Sequence, residues 1–201
     1  MPSDLADPDA VLLDMDGTLV DTEGLWWQAV ASVAAGLGRP LDPDDAPHVL
    51  GRTSDDVAAH LLRDASVADR LTDAFADRVA ANVTIMPGAR ELLAELAAAS
   101  IPTALVSASQ RRVIDLVLPR LGHPFDLVIA DEDTARSKPY PDPYLEAARR
   151  LGAAPSRCVA IEDSPTGVAA ATAAGCRVLL AVPSGLPSLA HVRASLAGEG
   201  A

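Results

Sequence analysis

Lysine occurs once in this 201-residue chain, at Lys138, and cysteine twice, at Cys158 and Cys176. No apolar run is long either. Even Val178 to Val182 falls far short of the roughly 20 residues a membrane-spanning helix needs, so no membrane partner is expected. Positive charge is scarce: 16 Lys+Arg face 28 Asp+Glu, the net charge is −12 and the pI about 4.6. With no basic stripe against that acidic surface, binding to a nucleic-acid backbone is excluded. The two cysteines sit in or beside apolar segments and read as buried reduced thiols, not a disulfide or a metal pair. Met1-Pro2-Ser3-Asp4-Leu5-Ala6-Asp7 has neither the positive start nor the apolar stretch of a signal peptide, so a cytoplasmic location is expected. The other 15 basic residues are arginines, which marks Lys138 as a position that needs a compact point charge rather than a broad fork.

What is present suits one α/β domain, or a core domain with a modest insertion: 49% of the residues are hydrophobic, enough for a sizeable core. Val11 to Leu13 form a short apolar run of the kind a buried parallel strand shows. Thr22 is placed to cap a helix with Trp26, Val30, Val33 and Leu37 on one face, ended by Gly38 and Pro40. A Pro-rich turn over 42–47 follows, then a second helix capped by Ser54 and a third after Ser66 with Val67, Leu71, Phe75 and Val79 as its stripe. Residues 22 to about 83 thus read as all helix.

From Pro87-Gly88 onward helix and strand alternate. Helices are expected over 89–99, 110–121, 142–151 and 166–174, and strands over 101–106, 125–130, 158–161 and 177–182. A weak helix, then a frayed end, follows Gly185. This pattern predicts a doubly wound parallel α/β sheet with right-handed crossovers. The core is expected from 1–20 and 85–201, and a helical unit from 21–84.

Ligands of open parallel sheets bind beyond the carboxyl ends of the strands. Each central strand here delivers polar groups to that edge: Asp14 and Asp16 after the first, Ser107 and Ser109 after the second, Ser137-Lys138-Pro139 in the loop after the third, and Glu162-Asp163-Ser164 after the fourth. Singly, each has a plainer explanation. Asp14 and Asp16 could be an Asp-rich strand end, and the serines could cap the following helices. Together they offer hard oxygen ligands suited to Mg²⁺, and hydroxyl, backbone N–H and ammonium groups suited to a phosphoryl group.

Asp14-Met15-Asp16-Gly17-Thr18, Ser107, Lys138 and Glu162-Asp163 resemble, in order, the four motifs of the haloacid dehalogenase-like hydrolase superfamily. The resemblance covers nearly the whole chain, because the helical unit matches that superfamily's C1 cap on a Rossmann-like core. Asp14 to Thr22 and Ile161 to Gly167 are similar to its β-phosphoglucomutase-like and sugar-phosphatase branch. The resemblance implies that Asp14 is the nucleophile, forming an aspartyl phosphate, and that Asp16 protonates the leaving oxygen and then activates water. It implies that Mg²⁺ is held by Asp14, the Asp16 backbone carbonyl and Asp163, with Glu162 beside it, and that Ser107, Ala108 and Lys138 bind the phosphoryl group.

Substrate choice would rest with the cap, on Arg52, Thr53 and Trp26, for a small-molecule phosphate ester acted on by a monomer. Packing is the plainer role for Trp26, and surface or packing roles for Trp27, His48 and His60. Mutases of this branch place a histidine where Trp26 stands and an arginine where Ser54 stands, so a phosphatase is expected over a phosphosugar mutase. A haloacid dehalogenase has no use for the acid/base Asp16. A phosphoaspartate receiver module would put its aspartate after the third strand, where Asp131 and Asp133 lie.

Overall fold

The apolar runs over 10–13, 103–106 and 158–162 become strands buried on both faces. In the computed structural model, which describes residues 6–197, the strands in chain order are β1 (Ala10–Leu13), β2 (Val20–Asp21), β3 (Thr84–Ile85), β4 (Thr103–Val106), β5 (Leu127–Ile129), β6 (Cys158–Glu162) and β7 (Arg177–Leu180). Five of them form one parallel sheet in the order β5-β4-β1-β6-β7, with Leu12 beside Ala104 on one side and Ala160 on the other. The chain winds outward from β1 through β4 to β5 and then returns to β6 and β7. The winding direction therefore reverses beside β1, which puts a crevice at its carboxyl end.

Between β2 and β3, which pair as a two-residue antiparallel ribbon, lies a helical insert: α1 (Glu23–Gly36), α2 (Ala46–Val49), α3 (Ser54–Asp56) and α4 (Ala68–Asn82). The expected stripes are its inner faces except at Leu37, which lies just past the end of α1 and is 41% exposed. Trp26, Val30 and Val33 of α1 and Leu71, Phe75 and Val79 of α4 are buried, and the Trp26 and Phe75 rings meet edge to face at 5.3 Å. The caps differ from expectation. Thr22 caps nothing, because its hydroxyl donates to Asp16. Thr53, not Ser54, accepts from the Asp56 N–H, while Ser54 pairs with Thr72. One π-helical turn, Val57–Leu61, then continues α3. Residues 42–47, expected as a turn, wind into a 3₁₀ turn and α2, with Asp42 and Asp45 forming a reciprocal cap.

The remaining helices are α5 (Ala89–Ala98), α6 (Arg111–Leu121), α7 (Asp142–Leu151), α8 (Pro165–Ala173) and α9 (Leu189–Ala197). Alternate side chains of β1 feed two layers. Val11 and Leu13 pack with α5, α6, α9 and the insert; Ala10 and Leu12 pack with α7 and α8. Three strands are shorter than expected. Ile101 and Pro102 fall outside β4, and Phe125 and Asp126 outside β5, where the Asp126 carboxylate instead accepts from the Thr103 N–H. Beyond β7, Val182 turns back to pair with Gly185. Among the described residues no helix is long and apolar enough to cross a membrane. The signal-peptide expectation over Met1 to Leu5 and the frayed end over 198–201 lie outside them.

Candidate active site

The β1/β6 ladder runs one step past Leu13, since the Asp14 N–H donates to the Ile161 carbonyl at 3.0 Å. Asp14 therefore keeps a strand's orientation, and the chain then turns at Gly17. Gly17 has φ +82°, and a Cβ there would lie 2.0 Å from Asp163 Oδ2. Only glycine allows both the left-handed turn and the approach of that carboxylate. A second glycine, helical and without a left-handed turn, makes room behind it: a Cβ on Gly167 would lie 2.0 Å from Glu162 Oε1. Two carboxylates at the end of β6 thus rest on two glycines. Because neighbours on a strand face opposite ways, Glu162 is fully buried while Asp163 lies at the exposed rim.

Lys138 reaches into this cluster and is 4% exposed. Its ammonium donates to Asp14 Oδ1 (2.6 Å), Glu162 Oε1 (2.5 Å) and the Val106 carbonyl (3.0 Å). A lysine has three N–H groups, and all are used. Asp16 is fixed differently, by hydroxyls: Thr22 donates to Oδ1 at 2.8 Å, and Ser107 and Ser109 donate to Oδ2 at 3.0 and 2.8 Å. Neither serine caps α6; the Arg111 N–H in its first turn donates instead to Glu132 Oε1 at 2.9 Å. Ser164 does cap α8, accepting from the Gly167 N–H.

Four carboxylates, Asp14, Asp16, Glu162 and Asp163, meet one ammonium. Burial, then the charge of Glu162, pushes Asp14 well above the usual carboxylate range despite Lys138. Burial and Glu162 also raise Asp163, to about 6. For Lys138, burial works against the charge, but Asp14 and Glu162 overcome it and hold the amine above its ordinary value. Asp14 Oδ2 is buried and has no hydrogen-bond partner among the described residues. Oxygens of Asp14, Glu162 and Asp163 lie within 4.8 Å of one another. Surplus negative charge, an orphaned carboxylate oxygen and hard donors fit a small divalent cation such as Mg²⁺. Glu162 is the least free to bind it, because Lys138, Tyr144 and Ser164 already donate to it.

A cavity of about 290 Å³ opens between this edge and the insert. Asp14, Asp16, Ala108, Lys138 and Asp163 line it from the sheet side, and Trp26, Arg52 and Thr53 from the insert. Ser107 and Glu162 do not line it; they stand behind Asp16 and Lys138. Trp26 is chiefly a packing residue, its indole N–H donating to the Val49 carbonyl at 2.8 Å. Trp27, His48 and His60 are absent from the lining, as their plainer roles predict. Sequence reasoning missed Tyr144, which is fully buried and donates to Glu162 Oε1. On an amphipathic helix its ring reads as core, and nothing in the spacing flags the hydroxyl.

The family pattern of haloacid dehalogenase-like hydrolases matches residues 8–175. Hexitol phosphatase A of Escherichia coli (strain K12) is 34% identical over 195 residues, covering 90% of this chain and 87% of the relative. A bifunctional riboflavin kinase/FMN phosphatase of Arabidopsis thaliana is 32% identical over 92% of this chain, which spans only 51% of that protein's length. The crystal structure of CbbY from Rhodobacter sphaeroides in complex with phosphate superimposes with a TM-score of 0.79, at 31% identity, covering 87% of this chain and 86% of that one.

Proposed function

The chain belongs to the haloacid dehalogenase-like hydrolases and is a phosphoric monoester hydrolase, and from that premise we propose that it releases phosphate from small phosphorylated metabolites, sugar phosphates foremost, through an aspartyl-phosphate on Asp14. The observation that carries this reading is Asp14 itself. One oxygen is held by Lys138 and the other is buried, unpartnered and beside the cavity. A fixed carboxylate with one free lone-pair face is a positioned nucleophile.

In the first step a carboxylate oxygen of Asp14 bonds to phosphorus while the ester oxygen departs and takes a proton from Asp16. In the second, Asp16 accepts a proton from water, the water oxygen bonds to phosphorus, and Asp14 is released with inorganic phosphate. The hydroxyls of Ser107, Ser109 and Thr22 can each donate or accept, so they support Asp16 in both protonation states. Lys138 keeps the nucleophile oriented and neutralises charge beside it. A phosphoryl contact for Lys138 would require it to release one of its three acceptors, whereas Ala108 is already on the cavity wall. Mg²⁺ would be held by Asp14 and Asp163, with the Asp16 carbonyl and Glu162 adjoining, and would supply the charge neutralisation that a dianionic substrate needs. Residues 21–84 act as the cap; Cys158 is buried as expected, whereas Cys176 is only half-buried.

Hydrolysis is favoured over phosphosugar transfer between positions because Trp26, which occupies the mutase histidine's place, has its one donor committed to Val49. The receiver-type reading loses Asp133, which is tied to Arg111 and the Ala130 N–H. Phosphate release from a panel of phosphorylated metabolites, with and without a sugar bisphosphate activator, tests the reading. Release without activator is expected. Isomer formation that depends on activator would overturn it.

A further inference from the structure

Tyr144 stands out in its surroundings. The layer between the sheet and helices α7 and α8 is built from alanine and aliphatic side chains with Cys158, and Tyr144 is the only aromatic in it among the described residues. It is 0% exposed, and a buried phenol needs a partner that phenylalanine would not. Its hydroxyl donates to Glu162 Oε1, the oxygen that also accepts from Lys138. Its ring lies beneath the same ammonium, with Lys138 Nζ 5.3 Å from the ring centroid, within cation–π range. Burial pushes the phenol well above its ordinary pKa and keeps it a donor.

We propose that Tyr144 is a positioning residue: by occupying Glu162 Oε1 with a second donor, it sets how Lys138 is divided between Glu162 and the nucleophile Asp14. The inference rests on Asp14 being that nucleophile. A carboxylate oxygen that accepts two hydrogen bonds pulls less strongly on either donor. Without the phenolic O–H, the buried charge of Glu162 is balanced at Oε1 by Lys138 alone. The ammonium then moves toward Glu162 and away from Asp14 Oδ1. No other side chain among the described residues hydrogen-bonds Oε1, and Ser164 engages only Oε2, at 3.3 Å.

Tyr144→Phe keeps the ring, its packing and its place under the ammonium, and removes only the donor. Because Lys138 is the single lysine, ¹⁵N-lysine labelling yields one side-chain ammonium resonance with no assignment problem. In Tyr144→Phe that resonance is expected to shift and exchange faster with water. The kcat should fall about tenfold with KM within about twofold, as expected for loss of a group that acts on the reacting carboxylate. An unmoved resonance, or an unchanged kcat, would overturn the inference, since a merely packing tyrosine moves neither. Asp14→Asn, measured alongside, separates the two readings. If it still turns over, Asp14 is not the nucleophile; if it is inactive while Tyr144→Phe matches wild type, only the role of Tyr144 falls.

Discussion

The two walls of the cavity are built on opposite plans. On the sheet side the groups around the nucleophile are tied together, Lys138 to three acceptors, Asp16 to three hydroxyls and Glu162 to three donors, while Asp14 Oδ2 and Asp131 Oδ1 have no hydrogen-bond partner among the described residues. On the insert side Trp26, Thr53 and Ser54 are committed as well, but the Arg52 guanidinium is exposed and has no hydrogen-bond or ion-pair partner among the described residues. The difference teaches where each task is placed. Reacting groups need fixed geometry and sit on strand ends, whereas a group that meets varied leaving groups gains from a mobile arm on a loop.

The strongest way to break this comparison is to remove the two groups held for chemistry. Asp14→Asn should lower phosphate release below detection, and Asp16→Asn by about 10²–10⁴-fold, the range for a lost general acid/base. Circular dichroism should show both variants folded. Substantial turnover in either would mean that the sheet edge does not carry the reaction. Metal removal comes next in size. With four carboxylates around one ammonium, EDTA should abolish activity and added Mg²⁺ restore it. Full activity in EDTA would show that Lys138 alone neutralises the site.

Two glycines sharpen the comparison further. Gly17 on the sheet side and Gly51 on the insert both have positive φ, +82° and +69°. Alanine at either strains the backbone, by about 1 kcal/mol or more. Only at Gly17 would the new Cβ meet an atom, Asp163 Oδ2 at 2.0 Å, whereas nothing lies within 4 Å at Gly51. Gly17→Ala should therefore lose about 100-fold in kcat/KM by displacing Asp163, and Gly51→Ala only a few-fold. Equal losses would indicate that backbone strain, not the crowded carboxylate, limits this loop.

The same contrast governs what could be read from the sequence. Strands of the central sheet were legible because burial on both faces turns them into unbroken apolar runs. The β2/β3 ribbon was not, since two residues per strand carry no period. Asp14, Asp16, Lys138 and Asp163 were conspicuous because acidic and basic residues at the ends of apolar strands need a reason. Their partners were not: Thr22 looked like a helix cap, Tyr144 like core, and adjacent hydroxyls made Thr53 and Ser54 indistinguishable as caps. Pattern finds where charge is placed, but a hydroxyl's partner depends on tertiary contacts with no local signature.

The smallest expected effect lies on the insert. Arg52→Ala removes an exposed guanidinium with no partner among the described residues, so folding stability should change by less than about 0.5 kcal/mol. The side chain borders the cavity without touching Asp14 or Lys138, so kcat should hold within about twofold. The KM should rise several-fold for substrates whose leaving group carries hydroxyls or a second anion, and stay near wild type for a plain aryl phosphate. That is the signature of lost uniform binding rather than lost transition-state stabilisation. A fall in kcat as large as that of the sheet-side variants would erase the division of labour between the two walls, because it would place a loop arginine among the groups that stabilise the transferring phosphoryl.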